Sequence, residues 1–283
     1  MPFTKAVQPI GILFAITSAV VWGSGDFSGG LATRRANQFQ VLALAALSGI
    51  MMLVALSLLF REAMPTPSGL AWSALAGLAG AMGIASLYQG LSIGSAATVA
   101  PTAAVLTAAL PIAFNVLTAG LPGKSQLAGF GLAITGIWLV SHTPSTDNAR
   151  GKGLKLALVA GCGFGGFLIL IAQVDRTLVF APLAVARAAM FAVAIFLTLS
   201  RGMPLPSLAS SPMAYLAGVL DAGGNVFYLL ARQHTRLDVA AVLSSLYPVA
   251  TVVLARVVSK DPVTSAQWTG VVVCVAAVAL IAT

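Results

Sequence analysis

The stretches MPTPSGLAWSALAGLAGAMG at 64–83 and MPLPSLASSPMAYLAGVLDAGG at 203–224 decide how this chain is read. Both open on M-P-x-P-S and run into an apolar segment containing L-A-G, so the second repeats the first. The correspondence extends outward at a nearly constant offset of 137 to 142 residues. Gly11, Gly23 and Arg34 fall against Gly153, Gly165 and Arg176; Pro111 falls against Pro248; Gln126 and Gly129 fall against Gln267 and Gly270.

Composition says what the repeated unit is made of. Of 283 residues, 59% are hydrophobic and 8% charged, where a soluble globular chain carries about a quarter charged residues. The apolar residues fall into ten runs near 9–31, 38–60, 69–91, 96–119, 125–142, 153–173, 178–200, 210–231, 237–258 and 264–282. Each suffices to cross a hydrocarbon core about 30 Å thick as a helix. The longest polar joint, SHTPSTDNARGKG at 141–153, is too short to fold as a soluble domain.

The expected fold is therefore an all-α polytopic membrane protein with ten transmembrane helices. They form two five-helix repeats, 1–142 and 153–283, joined by a loop at 143–152. Because five is odd, the second copy is inverted in the bilayer relative to the first. Inverted repeats of this kind are characteristic of secondary transporters, which bind substrate near the midplane at the repeat interface. The start of the chain has Lys5 ahead of an apolar stretch but no A-x-A-like cleavage pattern, and it has an internal counterpart, so it is read as the first span.

The net charge of +8 does not indicate nucleic acid, because the fifteen Lys and Arg residues, Arg187 apart, lie singly or in pairs at the ends of runs. Juxtamembrane anchoring accounts for them. With the N-terminus inside, Lys5, Arg61, Lys124, Arg176, Arg232 and Arg236 are cytoplasmic, against Arg34, Arg35, Arg150, Lys152, Lys155, Arg201, Arg256 and Lys260 outside, a near tie. Cys162 and Cys274 lie inside spans without metal-ligand spacing and read as buried thiols. His142 and His234 stand alone at span ends, and no nucleophile–base pair or phosphate loop is present, so neither an enzyme nor a cofactor is expected.

The motif WGSGDF at 22–27, the segment LSSLYPVATVVLARVVSKDPVTSAQWTGVVVCVAAVALIA at 243–282, and its shorter echo at 106–140 resemble the EamA-type permeases of the drug/metabolite transporter superfamily. The most specific part is S-L-x-P-V followed by a polar turn and Q-x-x-G. One departure stands in that turn: the family commonly has Gly-Glu where this chain has Lys260-Asp261. The resemblance implies a bacterial inner-membrane permease or exporter of a small organic molecule, with cytoplasmic termini and a central substrate site. The expected partners are that small-molecule substrate and the lipid bilayer, as a monomer or homodimer.

Three ionisable residues lie deep in the spans: Asp26, Arg187 and Asp221. Each costs about 2.5–3.5 kcal/mol near a helix centre on insertion scales, so they should face one another or a watery cavity. Asp221, Asn225, Tyr228 and Arg232 are spaced to share one side of span eight. That polar stripe lines either a cavity or a helix interface. Arg187 has two readings: an ion pair with Asp221 that joins spans seven and eight, or a fork for a substrate carboxylate or phosphate.

The positions that match Asp26, Arg187 and Asp221 in the other repeat are Leu168, Leu47 or Ser48, and Gly80, so the scaffold is duplicated without its charges. Trp22, Tyr88 and Gln89 are further candidates for the cavity wall, with ordinary packing as the plainer reading of both aromatics. Pro111, Asn115 and Thr118 share a face of span four. Pro101, Pro111 and Pro248 each remove a backbone donor inside a span and are expected to kink it. Gly25-x-x-x-Gly29 and Gly161-x-x-x-Gly165 read as close helix-packing positions. The alternative to a transporter is a non-transporting membrane scaffold or sensor.

Overall fold

A computed structural model describes residues 8–33, 36–93, 96–141, 153–205, 211–260 and 262–282, of which 38, 88, 90–93, 96–98, 100 and 101 are described by their backbone alone. The joint at 143–152 and Asp261 fall outside the described residues. The described chain is helical: α1 (Pro9–Thr33), α2 (Gln38–Leu59), α3 (Pro67–Ile93), α4 (Ala96–Ala119), α5 (Lys124–Ser141), α6 (Leu154–Ile171), α7 (Phe180–Ser200), α8 (Pro212–His234), α9 (Leu237–Ser244), α10 (Tyr247–Leu254), a π-helical turn (Ala255–Ser259) and α11 (Ser265–Ile281).

Among the described residues, eight segments are long and apolar enough to cross a membrane, with Leu237–Ser259 counted as one. Ten were expected from the sequence. The two remaining helices are α11, apolar but only 17 residues long, and α5, whose first turn is the polar Lys124-Ser125-Gln126. The ninth run is also not one straight helix. It breaks at Ser245–Leu246, just ahead of Pro248, where the proline ring excludes the preceding turn's carbonyl. Leu246 N–H instead donates back to Leu243 O at 3.3 Å and Val249 N–H to Leu246 O at 3.0 Å. By contrast α4 runs unbroken through Pro101 and Pro111.

Along α1 small residues face inward and large apolar ones outward, which lets helices pack closely where lipid surrounds the bundle. The buried positions of α1 are Gly11, Ala15, Ser18, Ala19, Gly23, Gly25, Ser28 and Ala32, while Leu13 and Val20 are exposed. Gly25 packs on the Asp221 backbone, Gly29 on Ala217, and Gly161 and Gly165 on Leu106 and Leu110 of α4. These are the close approaches that the two G-x-x-x-G patterns predict.

The main helix pairs recur when the two halves are exchanged. α1 packs on α8 as α6 packs on α3; α2 packs on α8 as α7 packs on α3; α1 packs on α9 and α10 as α6 packs on α4; and α2 meets α7 and α5 meets α11. The pairs α5–α11 and α2–α7 run antiparallel. Ser125 at the start of α5 donates to Leu280 O at the end of α11 (2.9 Å), and Gln267 at the start of α11 donates to Val140 O at the end of α5 (3.3 Å).

For α2 and α7 the ties lie at both ends. Glu62, just past α2, accepts backbone N–H bonds from Val179 and Ala181 at the start of α7, both at 2.6 Å. Just past α7, the Arg201 guanidinium sits 4.5 Å from the Phe39 ring centroid and Pro204 O accepts from Gln40 at 2.8 Å. In the α6–α7 joint, outside the spans, the backbone N–H and hydroxyl of Thr177 hold the Asp175 carboxyl below its ordinary range.

Candidate functional site

A cavity of about 330 Å³ lies between the two halves of the chain. Its walls come from α1 (Trp22 to Thr33), the start of α2 (Val41, Leu42, Ala45), α3 (Gly80, Ile84, Leu87), Thr107 of α4, α6 (Phe164, Phe167, Leu168), α7 (Arg187, Met190), the first half of α8 (Ala217, Asp221, Asn225) and Tyr247 of α10. It extends from mid-bundle toward the end at which α1 finishes and α2 and α8 begin. At the opposite end the core closes around Leu168, Ile171, Leu183, Tyr228 and Val239–Leu243, all buried.

Five of the candidates named from sequence meet here. Arg187 and Asp221 form an ion pair across α7 and α8, with the Arg187 side chain 6% exposed and that of Asp221 38%. A second guanidinium nitrogen of Arg187 faces Met190 Sδ at 3.7 Å. Asn225 Nδ2 donates to Asp221 O at 2.8 Å, and Trp22 Nε1 donates to the same carbonyl at 3.1 Å. That convergence fixes the α1–α8 contact at the level of the charged pair. Asp26 is exposed to the cavity that it lines and makes no hydrogen bond or ion pair among the described residues. The charge of Asp221 and the phenol of Tyr247 are its electrostatic neighbours.

Other candidates are placed elsewhere. Tyr228 does not line the cavity: it is fully buried, its hydroxyl donates to Leu168 O at 2.8 Å, and its ring stacks on Trp22 at 6.1 Å between centroids. Gln89 is exposed and away from the cavity wall, and the Tyr88 side chain lies outside the described residues. Asn115 is buried and not at the wall, its Nδ2 without a partner among the described residues, as is the Nε of Arg232. No cluster of three or more His, Cys, Asp or Glu residues able to hold a metal occurs among the described residues.

Beyond Trp22, the aromatic wall includes Phe164, Phe167 and Tyr247, which are not among the candidates named from sequence. Tyr247 stands beside Pro248 in the S-L-x-P-V pattern, and Phe164 is the repeat-mate of Trp22, so both had a signal in the sequence. Repeat-related positions face the cavity in pairs: Asp26 with Leu168, and Asp221 with Gly80. Neither Leu47 nor Ser48, the two positions that match Arg187, lines the cavity; Ser48 is buried, with its hydroxyl on Tyr215 O at 3.0 Å.

Among solved structures, a chain described as "Crystal structure of protein" superposes with a TM-score of 0.72 over 95% of both chains at 17% sequence identity, a likeness of fold alone. Comparison with curated proteins gave no match. The EamA-like transporter family matches residues 9–142 and again 151–283, nearly the whole chain as two repeats. With eight segments apolar enough to span a bilayer around a shared cavity, this chain is an integral, multi-pass membrane protein and belongs to the EamA-like transporter family of the drug/metabolite transporter superfamily.

Proposed function

We propose that the protein is a secondary transporter, not an enzyme, that exports a small organic metabolite or drug across the bacterial inner membrane by alternating access, driven by proton exchange. The observation that carries this reading is the cavity itself: both halves of the chain line it, and Asp26, Arg187 and Asp221 converge on it. Supporting an inverted ten-span arrangement, with units 1–142 and 153–283, is the antiparallel course of the repeat-related pairs α2–α7 and α5–α11. In that arrangement α5 and α11 cross as a mutually packed pair.

Alternating access needs a site that faces one side while the other is shut. The cavity reaches toward one end of the bundle, and the buried layer around Tyr228 shuts the other. Asp26 is the proton carrier in this reading, because Asp221 is engaged by Arg187 whereas Asp26 faces the cavity without a partner among the described residues.

The test is flux in proteoliposomes across an imposed pH gradient, with a panel of metabolites and drugs. Wild-type protein is expected to move part of the panel in a gradient-dependent way, and Asp26→Asn to lose that dependence. Flux indifferent to the gradient would indicate a facilitator. Absence of flux across the panel would favour a membrane scaffold or sensor.

A further inference from the structure

The two repeat-related helices α1 and α6 present opposite chemistry to one cavity. The α1 wall carries Trp22, Gly25 and Asp26; the matching α6 positions are Phe164, Phe167 and Leu168. One wall is acidic, the other is aromatic and aliphatic. A ligand complementary to both must itself be two-ended.

The sign of its charged end follows from which charges are already engaged. Arg187 is the cavity's one basic residue among the described residues. Its side chain is buried, with one guanidinium nitrogen on Asp221 and another on Met190 Sδ. Taking a substrate carboxylate would mean breaking the ion pair and leaving Asp221 uncompensated, an expensive exchange in a poorly hydrated site. Asp26 needs no such exchange, since its carboxylate is exposed and unpartnered among the described residues. With two carboxylates against one guanidinium among its described lining residues, the cavity wall carries a net negative charge when both acids are ionised. Tyr247 and Trp22, their rings 6.4 Å apart and edge-to-face, flank the acid with aromatic surface of the kind that attracts organic cations.

Resting on the transporter reading above, we propose that the cavity takes a small organic monocation with an apolar, preferably aromatic, body: the cationic centre on Asp26, the body against Phe164, Phe167 and Leu168. The volume of about 330 Å³ lies at the small end of ligand pockets, roughly 300–1,000 Å³, and so favours single-ring molecules over polycyclic ones.

Calorimetric binding to the purified full-length protein tests this apart from transport. Phenethylammonium and benzyltrimethylammonium are expected to bind; 3-phenylpropionate and zwitterionic phenylalanine are expected to bind at least tenfold more weakly. Asp26→Asn should weaken the cations at least tenfold, while Asp26→Glu, which keeps the charge, retains the preference and guards against a folding defect. Phe167→Ala should weaken phenethylammonium but not ethylammonium.

Equal or tighter binding of the carboxylate or the zwitterion, unchanged cation affinity in Asp26→Asn, or no binding of either aromatic cation overturns the proposal. Cation binding without flux sustains it and overturns the transporter reading. Preferred flux of an anion overturns it and leaves the transporter reading standing.

Discussion

Arg187 and Asp221 meet on the cavity wall from opposite sides of the burial divide: the guanidinium is enclosed and the carboxylate is open to the cavity. Losing the acid therefore strands a buried cation. Asp221→Ala is expected to destabilise the protein by about 3 kcal/mol, the lower end of the range for uncovering one partner of a buried pair. The double variant Arg187→Met/Asp221→Ala should recover most of that loss. Thermal unfolding in detergent of the two single variants and the double variant measures it, and a double variant no more stable than Asp221→Ala would show that the pair does not bind α7 to α8.

Trp22 can lie on α8 only because residue 224 has no side chain. A Cβ on Gly224 would fall 2.6 Å from Trp22 Cγ and 2.7 Å from Nε1. Gly224→Ala is thus expected to expel the indole, break its bond to Asp221 O, and cost about 1–3 kcal/mol of overpacking. Gly131 offers the contrast, with nothing within 4 Å of its would-be Cβ. Gly131→Ala should be neutral or stabilising by up to about 1 kcal/mol through helix propensity. Unfolding midpoints of both variants, with ligand binding for the first, check this.

Most of the fold could be read from the sequence because, in a membrane, span length and the inward placement of small residues are written locally. The break before Pro248, the close packing at Gly25 and Gly161, and the convergence of Asp26, Arg187 and Asp221 all follow from residue type and helical spacing. Depth does not. Periodicity places Tyr228 on the face of Asp221, but seven residues carry it about 10 Å along the axis, out of the cavity and into the closed layer. Glu62 was not legible either, since its partners Val179 and Ala181 are 117 and 119 positions away in the chain and are backbone groups without a sequence signature.

Tyr228 follows from that difference in depth. Tyr228→Phe removes one buried hydrogen bond to Leu168 O while keeping the ring on Trp22. The expected cost is about 1 kcal/mol of stability, with ligand affinity changed less than twofold. A tenfold loss of affinity at unchanged stability would instead place the phenol in the binding site.

Glu62 is the long-range cap of α7. The first backbone N–H groups of a helix lack intrahelical partners, and an anion placed there both accepts hydrogen bonds and complements the helix dipole. Glu62 supplies one carboxylate oxygen to Val179 N–H and the other to Ala181 N–H, so two properties of the side chain can be removed separately. Glu62→Gln keeps one acceptor oxygen and loses the charge; Glu62→Ala loses both acceptors. The expected order of stability is wild type, then Gln, then Ala, with the full truncation costing about 1–3 kcal/mol. Because the contact ties the α2–α3 joint to the start of α7, hydrogen exchange at 179–183 should rise in the same order. An unchanged exchange rate in Glu62→Ala would mean that these N–H groups find other partners and that the α2–α7 tie at this end is dispensable.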